Sequence, residues 1–166
     1  MNMSNLLSFE IEKHEPYRFI GKSVYAHAGM QCGQANFAGF LWDNSAWIFD
    51  KLNELKDYAT NEIHNAALLT WEKYDPNTKL LGYTVGRFMK ADTPVPSGMD
   101  FFDIPAGYIA KGWFDKEDGD EENMVRDAIE QQGEYKRTSG LAGGWFGVEV
   151  NGNDTFGYYL SCEKKN

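Results

Sequence analysis

The sequence has few of the residues and runs that mark several large classes of protein. Its 166 residues contain two cysteines, Cys32 and Cys162, which lie far apart and have no neighbouring Cys or His at the spacing of metal ligands. That spacing argues against a zinc site and favours two free thiols. No apolar run approaches the roughly 18 residues that a membrane-spanning helix needs, and the first ten residues do not have the pattern of a signal peptide. We therefore expect a cytosolic protein that does not enter a membrane and holds no metal.

Positive charge is also scarce. The chain carries 16 Lys and Arg residues against 25 Asp and Glu residues, a formal net charge of −9. An acidic chain repels nucleic-acid backbones, so nucleic-acid binding through charge is disfavoured. The acidic run at 115–122 lacks the spacing of a calcium loop and is interpreted as a solvated loop that leads into a helix. Motifs for serine hydrolases, phosphate loops, Rossmann folds and zinc proteases are missing as well, so no cofactor is predicted.

Aromatic residues are abundant instead. The chain has five Trp, nine Tyr and eleven Phe, and several follow a glycine, as in Gly82-Tyr83, Gly112-Trp113, Gly144-Trp145 and Gly157-Tyr158. Because a neighbouring glycine has no side chain to cover the ring, these pairs indicate aromatic rings that are exposed to a ligand-binding cavity. The alternative for each single ring is that aromatic residues simply suit β-strands.

A weak internal duplication divides the chain into repeat halves at about 5–92 and 98–164. Residues 81–85 align with 156–160, and residues 69–73 align with 146–150, which places Glu72 opposite Glu149 in the alignment. Each half is predicted to run strand, helix, strand, strand. Ser45 is the expected N-cap of the first helix, and Gly133 is expected to end the second. The apolar residues of the two helices are Ile48, Phe49, Leu52 and Leu55, then Met124, Val125, Ala128 and Ile129.

This order predicts a single α+β domain over residues 1–166. Two pseudo-symmetric units form one antiparallel sheet with both helices on one face and an aromatic pocket on the other. The first half carries extra residues at about 30–42, which include Phe37 and Phe40. We expect this insertion to fold over the pocket as a lid, the alternative being a solvated loop.

Two stretches of sequence resemble a known family. Val95-Pro96-Ser97-Gly98-Met99 and the segment at 103–110, Asp-Ile-Pro-Ala-Gly-Tyr-Ile-Ala, are similar to the linker and the first strand of the second half in GyrI-like domains, also called bacterial transcription-activator effector-binding domains. The likeness extends from about Phe9 to Glu163. It implies a domain that binds drug-like molecules. Family members often follow a helix-turn-helix head, and none is expected here because few residues precede the first strand.

One departure from the family bears on the ligand. In multidrug-sensing members a Phe-Glu pattern supplies a glutamate that pairs with cations, and here the pattern reads Phe146-Gly147. The resemblance therefore implies that this counter-ion is lost. Some stand-alone members of the family are hydrolases that open the strained cyclopropane of DNA-alkylating natural products with water inside an aromatic cage. The rings of this chain and its missing counter-ion favour that subfamily.

The residues also indicate how such a reaction would proceed. Strand alternation places Trp145, Gly147 and Glu149 on the open face, with Val148 and Val150 on the helix-covered face. A carboxylate shielded by rings has a raised pKa and deprotonates water, which makes Glu149 the first candidate base and Glu72 the second. Tyr159 is expected on the same open face, donating to a substrate carbonyl. The cage that binds a planar hydrophobic substrate is predicted from Trp145, Gly147, Trp113, Phe40, Phe37, Trp71 and Tyr83.

Alternatives stay open at this point. Glu149 and Glu72 are equally well interpreted as solvated charges on the sheet face, and Trp71 as a core residue. At the level of function, the rival to a hydrolase is a module that only binds and sequesters its small hydrophobic ligand. A third hypothesis is a protein that binds and inhibits a topoisomerase, as some members of the family do.

Overall fold

The computed structural model of the protein describes residues 5–27, 41–70, 80–138 and 146–166. Within them, nine strands belong to one sheet, and every pairing is antiparallel. The strands are β1 (Leu6–His14), β2 (Tyr17–His27), β3 (Ala66–Thr70), β4 (Leu80–Lys90), β5 (Asp100–Ile104), β6 (Gly107–Phe114), β7 (Tyr135–Arg137), β8 (Phe146–Asn151) and β9 (Phe156–Lys164). Their order across the sheet is β1-β6-β9-β8-β3-β4-β2-β5, and β7 pairs with β9 beyond the end of β8.

Two α-helices lie on one face of this sheet. Helix α1 (Ala46–Glu54) packs on β4, and helix α2 (Glu121–Gln132) packs on β6 and β9, so the central strands β3 and β8 run between them. Each helix forms because apolar residues recur on one side. The buried residues are Ile48, Phe49 and Leu52 in α1 and Met124, Val125, Ala128 and Ile129 in α2. The predicted α+β fold, with two units and both helices on one face, is confirmed.

The helix ends agree with the sequence in part. Gly133 ends α2 in a left-handed conformation with φ of 81° that suits glycine, as predicted. Ser45 stands directly before α1 but does not cap it, because its hydroxyl donates to the Trp42 carbonyl at 2.6 Å. Leu55, expected on the apolar face of α1, lies just past the end of the helix, and a short 3-10 helix follows at Lys56–Tyr58.

The sheet is strongly curved, which follows from its connections. Strand β1 stands at one edge and β2 six places away, yet only Glu15 and Pro16 join them. In a flat sheet six strand spacings would measure about 29 Å, whereas three Cα–Cα steps span at most about 11 Å. The two edges must therefore curl toward each other. At the junction the rings of His14 and Tyr17 stack with centroids 4.9 Å apart.

The concave side of the curled sheet is a packed core rich in rings. Its buried residues come from seven strands: Phe19, Ala66, Leu68, Phe88, Phe102, Ile104, Ile109, Val148, Val150 and Tyr159. Chain segment 59–65 also contacts this side, since Glu62 hydrogen-bonds to Tyr159 and His64 packs edge-on against Trp113. Apolar side chains are thus needed on both faces of the central strands.

Three strands were not predicted from the sequence. Strands β1 and β5 form the two edges of the sheet, and the short β7 extends the pairing of β9. The alternation of apolar Phe9 and Ile11 with Glu10 and Glu12 is the signal that marks β1 as a strand. In the part of the chain that the structure describes, no helix is long and apolar enough to cross a membrane.

Candidate functional site

Strand register determines the face on which Glu149 lies. Glu149 stands opposite Tyr158 on one side and Ala67 on the other, and directly paired residues share a face. Tyr158 packs against α2, and Ala67 belongs to the cluster around α1. Glu149 therefore lies on the helix side of the sheet, and Gly147 lies there with it. The expectation that both face away from the helices is wrong, because Val148 and Val150 fill the concave core instead.

Hydrogen bonds join Glu149 to the first half of the chain. The Tyr83 hydroxyl donates to Glu149 Oε2 at 3.0 Å, and the Trp42 indole N–H donates to the Tyr83 oxygen at 2.9 Å. Tyr83 is 2% exposed, and Glu149 is largely buried but still reaches solvent. The carboxyl thus sits between the helices with aromatic side chains from both halves around it.

The electrostatics of this site are unusual for a glutamate. Burial raises the pKa of Glu149 from 4.5 to about 7, the Tyr83 hydrogen bond opposes the rise, and the carboxylates of Glu117 and Glu121 add to it. Among the described residues no Lys, Arg or His lies within ion-pair distance of the carboxylate. Near neutral pH the site therefore gains or loses one negative charge.

Gly147 gives room to a neighbouring ring. A β-carbon at position 147 would lie 2.6 Å from the Tyr158 hydroxyl oxygen, closer than such contacts occur. The absence of a side chain at Gly147 lets the Tyr158 ring lie over the strand next to Glu149. Burial raises the pKa of Tyr158 above its usual range, with Glu122 and Glu149 adding to the effect. Tyr158 therefore stays neutral at physiological pH.

The two halves are not equivalent at this site. Tyr83 and Tyr158 correspond in the internal duplication, and they stand opposite Leu69 and Glu149 respectively. By strand register the counterpart of Glu149 is thus Leu69, whereas the sequence alignment gives Glu72. The described part of the site therefore carries its carboxyl in the second half alone.

Tyr159 and Trp113, both predicted at the site, lie on the opposite side of the sheet. Tyr159 pairs with Val148 and its hydroxyl donates to Glu62 at 3.2 Å, while the Trp113 ring packs edge-on against it at 6.0 Å. The expectation that Tyr159 shares a face with Glu149 is wrong, since adjacent residues of a strand point to opposite faces. No single small substrate reaches both groups.

A second polar cluster surrounds Tyr159. Lys111, which is 7% exposed, forms ion pairs with Glu62 and with Glu12, the latter at 2.8 Å. Desolvation would lower the pKa of Lys111, but the hydrogen bonds and charges of Glu12 and Glu62 outweigh it and raise the pKa. Each group is satisfied by the others, which is typical of a structural ion network. Neither Glu62 nor Lys111 was predicted as a site residue from the sequence, since no local pattern marks either.

The remaining predicted site residues, Glu72, Trp71, Trp145, Phe37 and Phe40, lie outside the described residues. So does most of the expected lid at 30–42, of which Leu41 and Trp42 are described and pack with α1. Trp42 was not predicted as a site residue. Its signal in the sequence is its place at the end of the aromatic insertion.

The described residues hold no group of three His, Cys, Asp or Glu side chains that could bind a metal ion. Cys162 is a free thiol in the core around α2, and burial raises its pKa to about 12. Such a thiol is unreactive at neutral pH. Cys32 lies outside the described residues.

Comparison with known proteins shows where this fold occurs. No protein-family model matches the sequence, and no curated protein matches it. Among solved structures, the protein SAV2435 bound to tetraphenylphosphonium is similar with a TM-score of 0.59 and 11% identity, over 96% of this chain and 95% of that one. A putative transcription regulation protein from Staphylococcus aureus has a TM-score of 0.56 and 11% identity, over 94% and 98% of the two chains. An integron cassette protein from Vibrio cholerae has a TM-score of 0.51 and 14% identity, over 97% and 98%.

At these identities the likeness shows a shared fold. The neighbours are consistent with the GyrI-like, effector-binding architecture that the sequence resembles. Membership of the cyclopropanoid-hydrolase subfamily stays a prediction.

Proposed function

We propose that this protein binds hydrophobic aromatic small molecules at Glu149, on the helix side of the sheet, and that it prefers molecules with a positive charge. The observation that carries the proposal is the largely buried Glu149 carboxyl, which has no cationic partner among the described residues. A buried carboxylate without a partner is costly, and a bound cation supplies what is missing. The Phe146-Gly147 pattern had argued against a cationic ligand, because it lacks the glutamate of the multidrug-sensing members. Glu149 would supply a negative charge in its place.

The surroundings of Glu149 support the same class of ligand. Tyr83 and Tyr158 offer aromatic side chains next to the carboxyl, and a cation over such a ring gains about 0.5–2 kcal/mol. A structure of similar fold contains tetraphenylphosphonium, a cation covered by aromatic rings. Because such a ligand favours the ionised carboxylate, its binding should lower the pKa of Glu149 and release a proton near neutral pH.

Calorimetry with tetraphenylphosphonium and with the neutral triphenylphosphine oxide at pH 6 and pH 8 tests the proposal. The cation should bind more tightly at pH 8, and Glu149→Gln should remove that gain. Glu54→Gln on α1, an exposed carboxylate with 67% of its side chain accessible, is the matched control and should bind like the unmodified protein. Equal affinity of both probes at both pH values, or no binding at all, would overturn the proposal.

Hydrolytic opening of a cyclopropane is the second candidate, favoured by the pKa of about 7 at Glu149, which suits a general base at neutral pH. In that reaction the carboxylate takes a proton from water, and the water oxygen bonds to a ring carbon. The broken ring bond supplies electrons to the conjugated carbonyl, which becomes a phenolate and accepts the proton. Tyr83, and not Tyr159, lies on the same side of the sheet as Glu149, and its hydroxyl donates to Glu149 Oε2, so its role would be to hold the base in place.

Turnover separates the two candidates. The protein is incubated with a large molar excess of a cyclopropanoid alkylator, and the water adduct is followed by chromatography and mass spectrometry. More product than protein, lost in Glu149→Gln and kept in Glu54→Gln, would establish a hydrolase. Intact substrate recovered from a tight complex would leave a binding module.

A further inference from the structure

Three side chains form a directed chain of hydrogen bonds into the site. The Trp42 indole N–H donates to the Tyr83 oxygen at 2.9 Å, and the Tyr83 hydroxyl donates to Glu149 Oε2 at 3.0 Å. An indole nitrogen is a donor only, so the Tyr83 oxygen must be the acceptor in the first bond. An ionised carboxylate is an acceptor only, which fixes the direction of the second bond. Both bonds therefore run from Trp42 toward Glu149.

The indole of Trp42 is held in place by α1. Its ring stacks on Phe49 with centroids 6.2 Å apart and an angle of 24° between the planes. Phe49 is buried on the face of α1 that packs on the sheet. The donor thus has a fixed position relative to Tyr83, and the orientation of the tyrosine proton does not depend on a mobile side chain.

We propose that Trp42 is a positioning residue that acts through Tyr83 and determines which oxygen of Glu149 meets the ligand. Tyr83 holds Oε2, and Oε1, which has no hydrogen-bond partner among the described residues, is left to face the ligand. This rests on the proposed function of the site. It refines the ligand class to cations that use at most one acceptor oxygen. These are amines with a single N–H, and quaternary ammonium or phosphonium ions, which donate no hydrogen bond and meet Oε1 only as a negative charge.

The same arrangement determines which oxygen of Glu149 carries the proton when the carboxyl is neutral. Because Oε2 already accepts a hydrogen bond from Tyr83, a proton that neutralises Glu149 resides on Oε1. The groups that act on the carboxyl are Tyr83 from β4, Tyr158 from β9, Glu121 in the first turn of α2 and Glu117 in the loop before that helix. None of these is a cation, so the neutral form presents an O–H donor to the ligand and the ionised form presents an anion.

The first test needs no ligand. In protein labelled with ¹⁵N-tryptophan, the indole N–H resonance of Trp42 should shift with pH, with the midpoint at which the Glu149 carboxyl ¹³C resonance titrates. The shift should vanish in Glu149→Gln and in Tyr83→Phe, the latter leaving Trp42 itself unchanged. Trp47, which is 43% exposed on α1, is the internal control and should not follow that midpoint. A Trp42 indole chemical shift that does not change as Glu149 titrates would overturn the proposal.

The second test is a double-mutant cycle on the affinity for tetraphenylphosphonium at pH 8. Tyr83→Phe should weaken binding about tenfold, and Trp42→Phe about threefold, with a shift of the pH midpoint of binding to higher pH in both. In the Tyr83→Phe background, Trp42→Phe should have no further effect, because Trp42 acts through Tyr83. Trp47→Phe should leave affinity and midpoint unchanged. Effects that multiply in the double variant would show that Trp42 acts by packing alone, and would overturn the proposal.

The two tests separate the inference from the function it rests on. If the Trp42 resonance follows Glu149 but the protein binds neither probe, the proposed function fails while the hydrogen-bond chain remains. If the cation binds with the expected pH dependence and the Trp42 resonance does not respond, the function holds and the role of Trp42 fails.

Discussion

Replacing Glu149 with glutamine should stabilise the protein at alkaline pH. In the unfolded chain this carboxyl ionises near 4.5, and in the folded protein near 7, chiefly because it is buried. Between those values the unfolded chain has released a proton that the folded protein retains. Stability therefore falls as the pH rises through this window, and the loss is complete above about 7. Glutamine stays neutral at every pH, so the variant should not lose stability as the pH rises through this window.

The magnitude follows from the same two values. The difference between 4.5 and about 7, at about 1.4 kcal/mol per pH unit, gives about 3 kcal/mol at pH 8. At pH 4.5 and below, both proteins carry a neutral side chain that accepts the Tyr83 hydrogen bond, so the difference should be close to zero. For a chain of 166 residues, about 3 kcal/mol corresponds to a rise in melting temperature of roughly 6–12 °C.

Urea denaturation followed by circular dichroism at pH 4.5, 6 and 8 measures this difference. The gain of Glu149→Gln over the unmodified protein should grow from near zero to about 3 kcal/mol. Glu54→Gln should change stability by less than about 0.5 kcal/mol at each pH. A variant that is less stable than the unmodified protein at pH 8, or a gain independent of pH, would refute the reasoning, because either would mean that Glu149 is already compensated in the folded state.

Three further predictions concern the framework of the site. Lys111→Met should lower the free energy of unfolding by about 3–5 kcal/mol, because it leaves Glu62 buried without a cation. Adding Glu62→Gln should recover part of that stability. A loss below about 1 kcal/mol in urea denaturation would contradict this prediction. Gly147→Ala should lower the free energy of unfolding by about 1–2 kcal/mol, because its methyl group would collide with the Tyr158 hydroxyl. The loss should be smaller in a Tyr158→Phe background, which lacks that hydroxyl. Gly86→Ala should cost about 3 kcal/mol or more, since its β-carbon would lie 1.9 Å from a backbone carbonyl oxygen of β2 that cannot move aside; a normally folded variant with near-native stability would exclude that close approach.

Local patterns were sufficient for several elements of the fold. Helix α2 was predicted nearly to its ends, because an acidic start, one apolar stripe and Gly133 all agree. The Asn-Gly pair at 151–152 is typical of a tight hairpin turn, and Gly152 N–H donates to the carbonyl of Thr155 there. Each of these signals lies within a few residues of the structure it specifies.

The face of Glu149 could not be derived from such signals. Alternation correctly groups Gly147 with Glu149 and Val148 with Val150, but it does not say which group faces the helices. The valines were assigned to the helix side because only one face was expected to need apolar residues. The curled sheet has a core on its concave side as well, and Val148 and Val150 fill it. That curvature depends on which strands pair at the edges, a non-local property.

Pairs far apart in sequence were missed for the same reason. Glu62 and Lys111 meet across the concave face, and Trp42 reaches Glu149 through Tyr83. Nothing near these residues in sequence distinguishes them from solvated charges or from ordinary core aromatics. Their partnership follows from the strand order.

The position of one carboxyl at the junction of two similar halves has a physical rationale. Tyr158, opposite Glu149, belongs to the same half, but the hydrogen bond to Glu149 comes from Tyr83 of the other half. The charged site is therefore complete only when both halves have assembled. A carboxyl at the equivalent position, Leu69, would place two like charges on neighbouring central strands, and each would raise the pKa of the other until one stayed protonated. Leucine at that position leaves a single charge. Under the proposed function, a monovalent cation would be enough to neutralise that charge, and the leucine would add apolar surface for the rest of the ligand.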